Sequence, residues 1–90
     1  MEISLWDSTY KALDDIAKRF NESNLSIREI RVRTTEIIMN DNDISLEELK
    51  ELMREDSTYN ITDIIINYYH EKQGYQYSSC SGVIGFRKDK

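Results

Sequence analysis

The sequence predicts a mainly α domain closed by a C-terminal β-hairpin. Three observations lead there. Apolar residues recur at helical spacing in four separate segments. Each segment is bounded by a polar cap or a turn signal. After Gly74 the period changes from helical to alternating, in Tyr75-Gln76-Tyr77-Ser78-Ser79.

The first helix is expected over Leu5–Phe20, with Ser4 as N-cap and Asp7 near the positive end of the helix dipole. Leu5, Trp6, Tyr10, Leu13, Ile16, Ala17 and Phe20 form its apolar arc. Asp7, Lys11, Asp14 and Lys18 lie opposite. Asp7–Lys11, Asp14–Lys18 and Asp15–Arg19 are acid-first pairs four residues apart, each contributing a few tenths of a kcal/mol. Asn21 to Asn24 ends the segment.

Ser26-Ile27-Arg28-Glu29 has the pattern of a capping box. Ile27, Ile30, Thr34, Ile37 and Ile38 then repeat at helical spacing. The alternation Ile30-Arg31-Val32-Arg33-Thr34 also fits a strand; the cap and the longer helical match favour helix. Ser45-Leu46-Glu47-Glu48 is a second capping box, with Leu46, Leu49, Leu52 and Met53 turned inward. Asn60 caps the fourth helix, where Ile61, Ile64, Ile65, Tyr68 and Lys72 share a face. Gly74 ends it in the left-handed conformation. The hairpin then turns at Cys80-Ser81-Gly82 and returns over Val83–Arg87, packing on the helices through faces that the sequence does not fix.

Ninety residues make one domain with a limited core, which a second subunit would extend. The net charge of −5 argues against a pure phosphate-backbone binder. The charge is also sorted. Acids crowd the run from Asp41 to Asp56, and bases gather at Arg28, Arg31 and Arg33 and at Arg87, Lys88 and Lys90. The three arginines of the second helix do not share one face. One cysteine, Cys80, excludes an internal disulfide. No run of apolar residues is long enough for a membrane span, and a cytoplasmic protein is expected.

Asp41, Asp43 and Ser45 start like a calcium loop, but Leu46 stands at the glycine position and Leu52 at the bidentate glutamate position. Gly82 and Gly85 precede no helix start and no lysine, so they are no phosphate loop. Paired acid and base, activated nucleophile and metal-ligand spacing are not found in the pattern, so neither an enzyme nor a cofactor is expected.

From Ser26 on, the order helix, helix, helix, hairpin resembles the winged helix-turn-helix superfamily. Ile44-Ser45-Leu46-Glu47-Glu48-Leu49-Lys50-Glu51-Leu52 looks like its scaffold helix. Tyr68-Tyr69-His70-Glu71-Lys72-Gln73-Gly74-Tyr75 looks like a recognition helix entering a wing. The resemblance divides the domain 1–90 into an added helix at 1–25, a dimerisation element, and a winged-helix core at 26–90. It implies a regulator bound to double-stranded DNA as a homodimer. Base contacts would come from Thr62, Asp63, Ile66, Asn67 and His70, and phosphate contacts from Thr58, Tyr59, Asn60, Arg87 and Lys88. The chain departs from that pattern: the reading face has no Arg or Lys, and Asp63 repels phosphate. The alternative is an acidic protein-interaction module, or an inhibitor of the kind mobile genetic elements carry, that binds a host protein rather than DNA, through Trp6, Tyr10, Val32 and Ile66.

Overall fold

Ser4 opens the first helix as expected: its Oγ accepts from the Asp7 N–H at 3.3 Å. In a computed structural model of the chain, residues 4–19, 24–80 and 83–88 are described, with the backbone alone at 24, 80, 83 and 88. Phe20, Asn21, the hairpin turn at Ser81 and Gly82, and Lys90 lie outside the described residues. The elements are α1 (Leu5–Arg19), β1 (Asn24–Ser26), α2 (Ile27–Asn42), α3 (Leu46–Glu55), α4 (Ile61–Asn67), a π-helical turn (Tyr68–Lys72), β2 (Tyr75–Cys80) and β3 (Val83–Lys88). The fold is mainly helical with a small antiparallel sheet, as the periodicity predicts.

The buried arc of α1 is Leu5, Thr9, Ala12, Leu13 and Ile16. It is rotated by about 50° from the expected arc on a wheel of 3.6 residues per turn. Trp6 and Tyr10 consequently stand at the edge, and Ala17 is half-buried. The cause is a contact distant in sequence and a small side chain. Thr9 goes inside because its hydroxyl hydrogen-bonds the Tyr59 hydroxyl, and Ala12 presents almost no side chain to the neighbouring helix.

The helical alternative at Ile30–Thr34 is the one adopted. In α2, Ile27, Ile30, Thr34 and Ile38 are buried. Thr34 and Thr35 donate back to the carbonyls of Ile30 and Arg31, at 2.6 and 2.8 Å. Asp43 closes the helix at φ 50°, its N–H bonded to the Asn40 carbonyl. Asn42 Nδ2 fastens this end to Ser8 Oγ of α1 at 3.1 Å.

The two expected capping boxes have different fates. At Ser45 the box forms: Glu48 N–H donates to Ser45 Oγ at 3.2 Å, and Glu48 Oε1 accepts from the Ser45 N–H at 3.3 Å. At Ser26 no side-chain cap bond is made. Ser26 is instead the last residue of β1, a strand the sequence reading missed, and it pairs with Gly85.

β1 makes the hairpin a three-stranded sheet in the order β1-β3-β2. Leu25, Phe86 and Tyr77 stand in one row across it. Residues directly opposite share a face, so this row and Tyr75 face the helices. Leu25, Phe86 and Tyr75 are buried, whereas Tyr77 is 43 % exposed. Cys80, expected in the turn, pairs with Val83, which leaves a two-residue connection.

In α3 only Leu49 is buried, against four inward residues expected. Leu52 and Met53 are half-buried and Leu46 is 47 % exposed. α4 buries Ile61, Ile64 and Ile65, then widens into the π-helical turn. The widening shifts the side-chain register. Tyr68 reaches α1, with its ring 6.3 Å from that of Tyr10, while Tyr69 reaches the sheet, 5.2 Å from Phe86. Gly74 follows at φ 70°, the left-handed end that the sequence predicted. Among the described residues no helix is long and apolar enough to cross a membrane.

Candidate interaction surfaces

An aromatic row runs along the edge of α1. The Trp6 and Tyr10 rings are stacked at 6.5 Å and 26°. Each is held from a second side. Trp6 lies edge-on to Tyr59 at 5.4 Å, and its indole N–H donates to Asp56 Oδ2 at 3.0 Å. Lys72 Nζ sits 5.1 Å from the centre of the Tyr10 ring, a cation–π contact rather than a stem lying on the core. Both rings remain 36 % exposed. The arrangement is a partly open aromatic surface with an acid at one end and a base at the other.

The turn between α3 and α4 builds that acid end. Asp56 Oδ1 accepts from the N–H and the hydroxyl of Thr58, at 3.0 and 2.6 Å. The Thr58 hydroxyl, then Trp6, then the Thr58 N–H hold the Asp56 carboxyl below its ordinary range. Asn60 Oδ1 accepts from the N–H groups of Thr62 and Asp63, at 3.0 and 3.2 Å, capping α4. Thr58 and Asn60 are exposed, but their side chains serve the turn. Tyr59, expected at a phosphate backbone, is buried at 7 % exposure and bonded to Thr9. That is a correction: its hydroxyl is a core group, and burial raises its pKa.

Along α4 and the π-helical turn, Asp63, Asn67 and His70 are exposed, with Glu71 beside them. Thr62 is half-buried. Ile66, expected to project as a partner contact, is half-buried against the core. Val32 on α2 is 50 % exposed, as expected. No Lys or Arg stands from Asn60 to Glu71. Arg87 is exposed on β3, between Asn24 and Gln76. It alternates with the buried Phe86, so it projects from the side of the sheet turned away from the helices. The Lys88 side chain lies outside the described residues. The structure therefore gathers Thr58, Asn60, Thr62, Asn67 and His70 along one helix and its entry turn, and sets Arg87 apart from them.

Three links that sequence reasoning missed join α1 to the far half of the chain: Thr9–Tyr59, Trp6–Asp56 and Asp14–Tyr68. Asp14 had been expected to pair with Lys18, and Lys11 with Asp7. Asp14 instead accepts from the Tyr68 hydroxyl, and Lys11 reaches Asp41 of α2 at 3.4 Å. Asp15–Arg19 forms as expected, at 3.3 Å. Among the described residues no group of three or more His, Cys, Asp or Glu is placed to hold a metal ion.

Burial first, and then the Asp14 carboxylate, push the Tyr68 hydroxyl up to about 12. A raised folded-state value favours the neutral hydroxyl. This contribution is fully present below pH 10 and is lost as pH rises from there towards about 12. Thermal melts are expected to fall across that window, and to fall less steeply in Tyr68→Phe. An identical alkaline loss in the variant would assign it to other groups.

No protein-family model, no curated protein and no solved structure matches the chain. The functional reading therefore rests on the surfaces themselves.

Proposed function

We propose that this chain is a protein-interaction module of winged-helix type, acting in the cytoplasm, whose contact surface is the Trp6–Tyr10 edge of α1. What supports the winged-helix reading is the order of α3, turn, α4 and antiparallel hairpin. The observation that carries the function is the aromatic row, half-open to solvent and fixed by Asp56, Tyr59 and Lys72. Tryptophan and tyrosine dominate the energetics of protein interfaces. Rings already fixed in place lose little entropy on binding.

The electrostatics of α4 favour this over the DNA reading. A helix that enters the major groove passes between phosphates, and the exposed stripe here offers Asp63 and Glu71 with no Lys or Arg. DNA binding stays the second reading because Asn67 and His70 stand exposed on the helix that precedes the hairpin, and Asn is the usual partner of adenine.

Trp6 is the one tryptophan of the chain, so its emission reports on the surface directly. Peptides selected from a random display library against the full chain are expected to shift that emission to the blue. They are expected to lose about 30-fold or more in affinity for Trp6→Ala, the scale of an interface hot spot. Peptides that bind Trp6→Ala and Tyr10→Ala as tightly as the wild type would remove this surface from the reading. Micromolar binding to random duplex DNA that collapses with salt, weakens in Arg87→Ala and loses one base preference in Asn67→Ala would install the second reading instead.

A further inference from the structure

The outermost face of α1 carries a charge pattern that the fold uses only in part. Asp7, Lys11, Asp14 and Lys18 follow at spacings of four, three and four, and all are exposed. On the helical wheel their mean direction lies about 180° from the buried arc, so they point straight away from the core. The ordinary reason for such a pattern is pairing within the helix. The structure does not show it: Lys11 turns to Asp41 and Asp14 to Tyr68. Neither Asp7 nor Lys18 has an ion pair among the described residues.

We propose that this stripe is a self-association surface, on which the α1 helix of a second copy of the chain docks antiparallel about a twofold axis. Read from one end, the stripe is acid, base, acid, base. Read from the other it is base, acid, base, acid. An antiparallel copy centred between Ala12 and Leu13 sets Asp7 against Lys18 and Lys11 against Asp14, and the twofold repeats both pairs. A parallel copy in register sets like against like at every position, so the pattern selects the direction. The existing links leave capacity for this. Asp14 engages Tyr68 through Oδ1, and a carboxylate has a second oxygen; a lysine has three donors.

The ground beside the stripe suits a second helix. An open groove of about 570 Å³ follows it, with Tyr10 on one bank and Ile37 and Asp41 of α2 on the other. One helix face buries less than the roughly 800 Å² per partner of a standard interface. Exposed charge pairs add little each and are screened by salt. The dimer is accordingly weak and salt-sensitive. Trp6 sits about 110° round the helix from the stripe, so the seam leaves it open, but Tyr10 borders both this groove and the proposed partner surface. The dimer's consequence for that surface is bivalence: the pair carries two Trp6 edges, at opposite ends of the seam.

Sedimentation equilibrium of the full chain, at low and near-physiological salt, tests it. The wild type is expected to dimerise at low salt and to weaken as salt rises. Asp7→Lys and Lys18→Asp are each expected to weaken self-association at least tenfold, with unchanged circular dichroism. An equimolar mixture of the two variants is expected to dimerise, because each supplies the charge the other lacks. The double variant Asp7→Lys/Lys18→Asp is expected to recover the homodimer. Pairing within the helix requires the reverse, since the double variant sets like charges four residues apart at both ends. A wild type that stays monomeric at low salt overturns the proposal. So does a dimer indifferent to both single swaps, or a mixture that does not associate.

Discussion

Tyr69→Phe is expected to stabilise the protein by about 1 kcal/mol, and Tyr69→Ala to cost about 3–5 kcal/mol. Tyr69 is fully buried where the helices meet the sheet. Its ring lies edge-on to Tyr68 at 5.2 Å and to Tyr75 at 5.5 Å, and beside Phe86 at 5.2 Å. Its hydroxyl has no hydrogen-bond partner among the described residues. The ring therefore stabilises by area and contact, while the hydroxyl adds an unmet desolvation penalty. Phenylalanine keeps the first and removes the second. For a domain of this size about 1 kcal/mol raises the melting temperature by roughly 4–8 °C. Alanine removes the ring from a fold whose whole stability is of the order of 5–15 kcal/mol, and leaves it marginal at best. Thermal and urea melts of the three proteins give both numbers. A destabilised Tyr69→Phe would show that the hydroxyl is bonded in solution, by water or by a rearranged neighbour.

The parts legible in the sequence are those set by near neighbours. Ser45 and Glu48, Asn60 and Asp63, and Gly74 declare helix ends three or four residues away, and the ends fall there. The same logic overreaches at Ser26. Its pattern matches that of Ser45, but a strand partner some sixty residues along the chain takes the residue first. β1 was illegible for that reason: three residues carry no period, and their hydrogen bonds go to β3. The same holds at the interaction surface. Residue type and position mark Trp6 and Tyr10 as partner contacts. What makes them a fixed surface is Asp56, Tyr59 and Lys72, and no local pattern connects those residues to α1. The π-helical turn hides in the same way. A plain α-helix through Tyr68 and Tyr69 puts Lys72 on the core face, whereas the widened turn sends it over the Tyr10 ring.

Leu49→Ala is expected to release α3 without unfolding the rest. Leu49 is the one buried residue of that helix, at 1 % exposure. Its truncation is expected to cost about 2–5 kcal/mol. Ten residues are too few for a helix to stand alone in water, where about 12–15 is the margin. The Ser45 box supplies about 1 kcal/mol and cannot replace the packing. Four glutamates on the helix, Glu47, Glu48, Glu51 and Glu55, are exposed and add no hold, which leaves the half-buried Leu52 and Met53 as its other contacts with the core. The other helices do not depend on it in this way: Leu13 and Ile16 of α1, Ile38 of α2 and Ile65 of α4 are all buried at 2 % exposure or less. Amide hydrogen exchange separates the outcomes. In Leu49→Ala the amides of Leu46–Glu55 are expected to exchange at nearly unfolded rates, while those around Leu13, Ile38 and Ile65 keep their protection. Uniform loss of protection in every helix would make α3 part of one cooperative unit. Selective loss has a functional edge, because α3 leads directly into Asp56, the acid that fixes Trp6. Peptide binding at the Trp6 edge should then weaken in Leu49→Ala although no contact residue has changed.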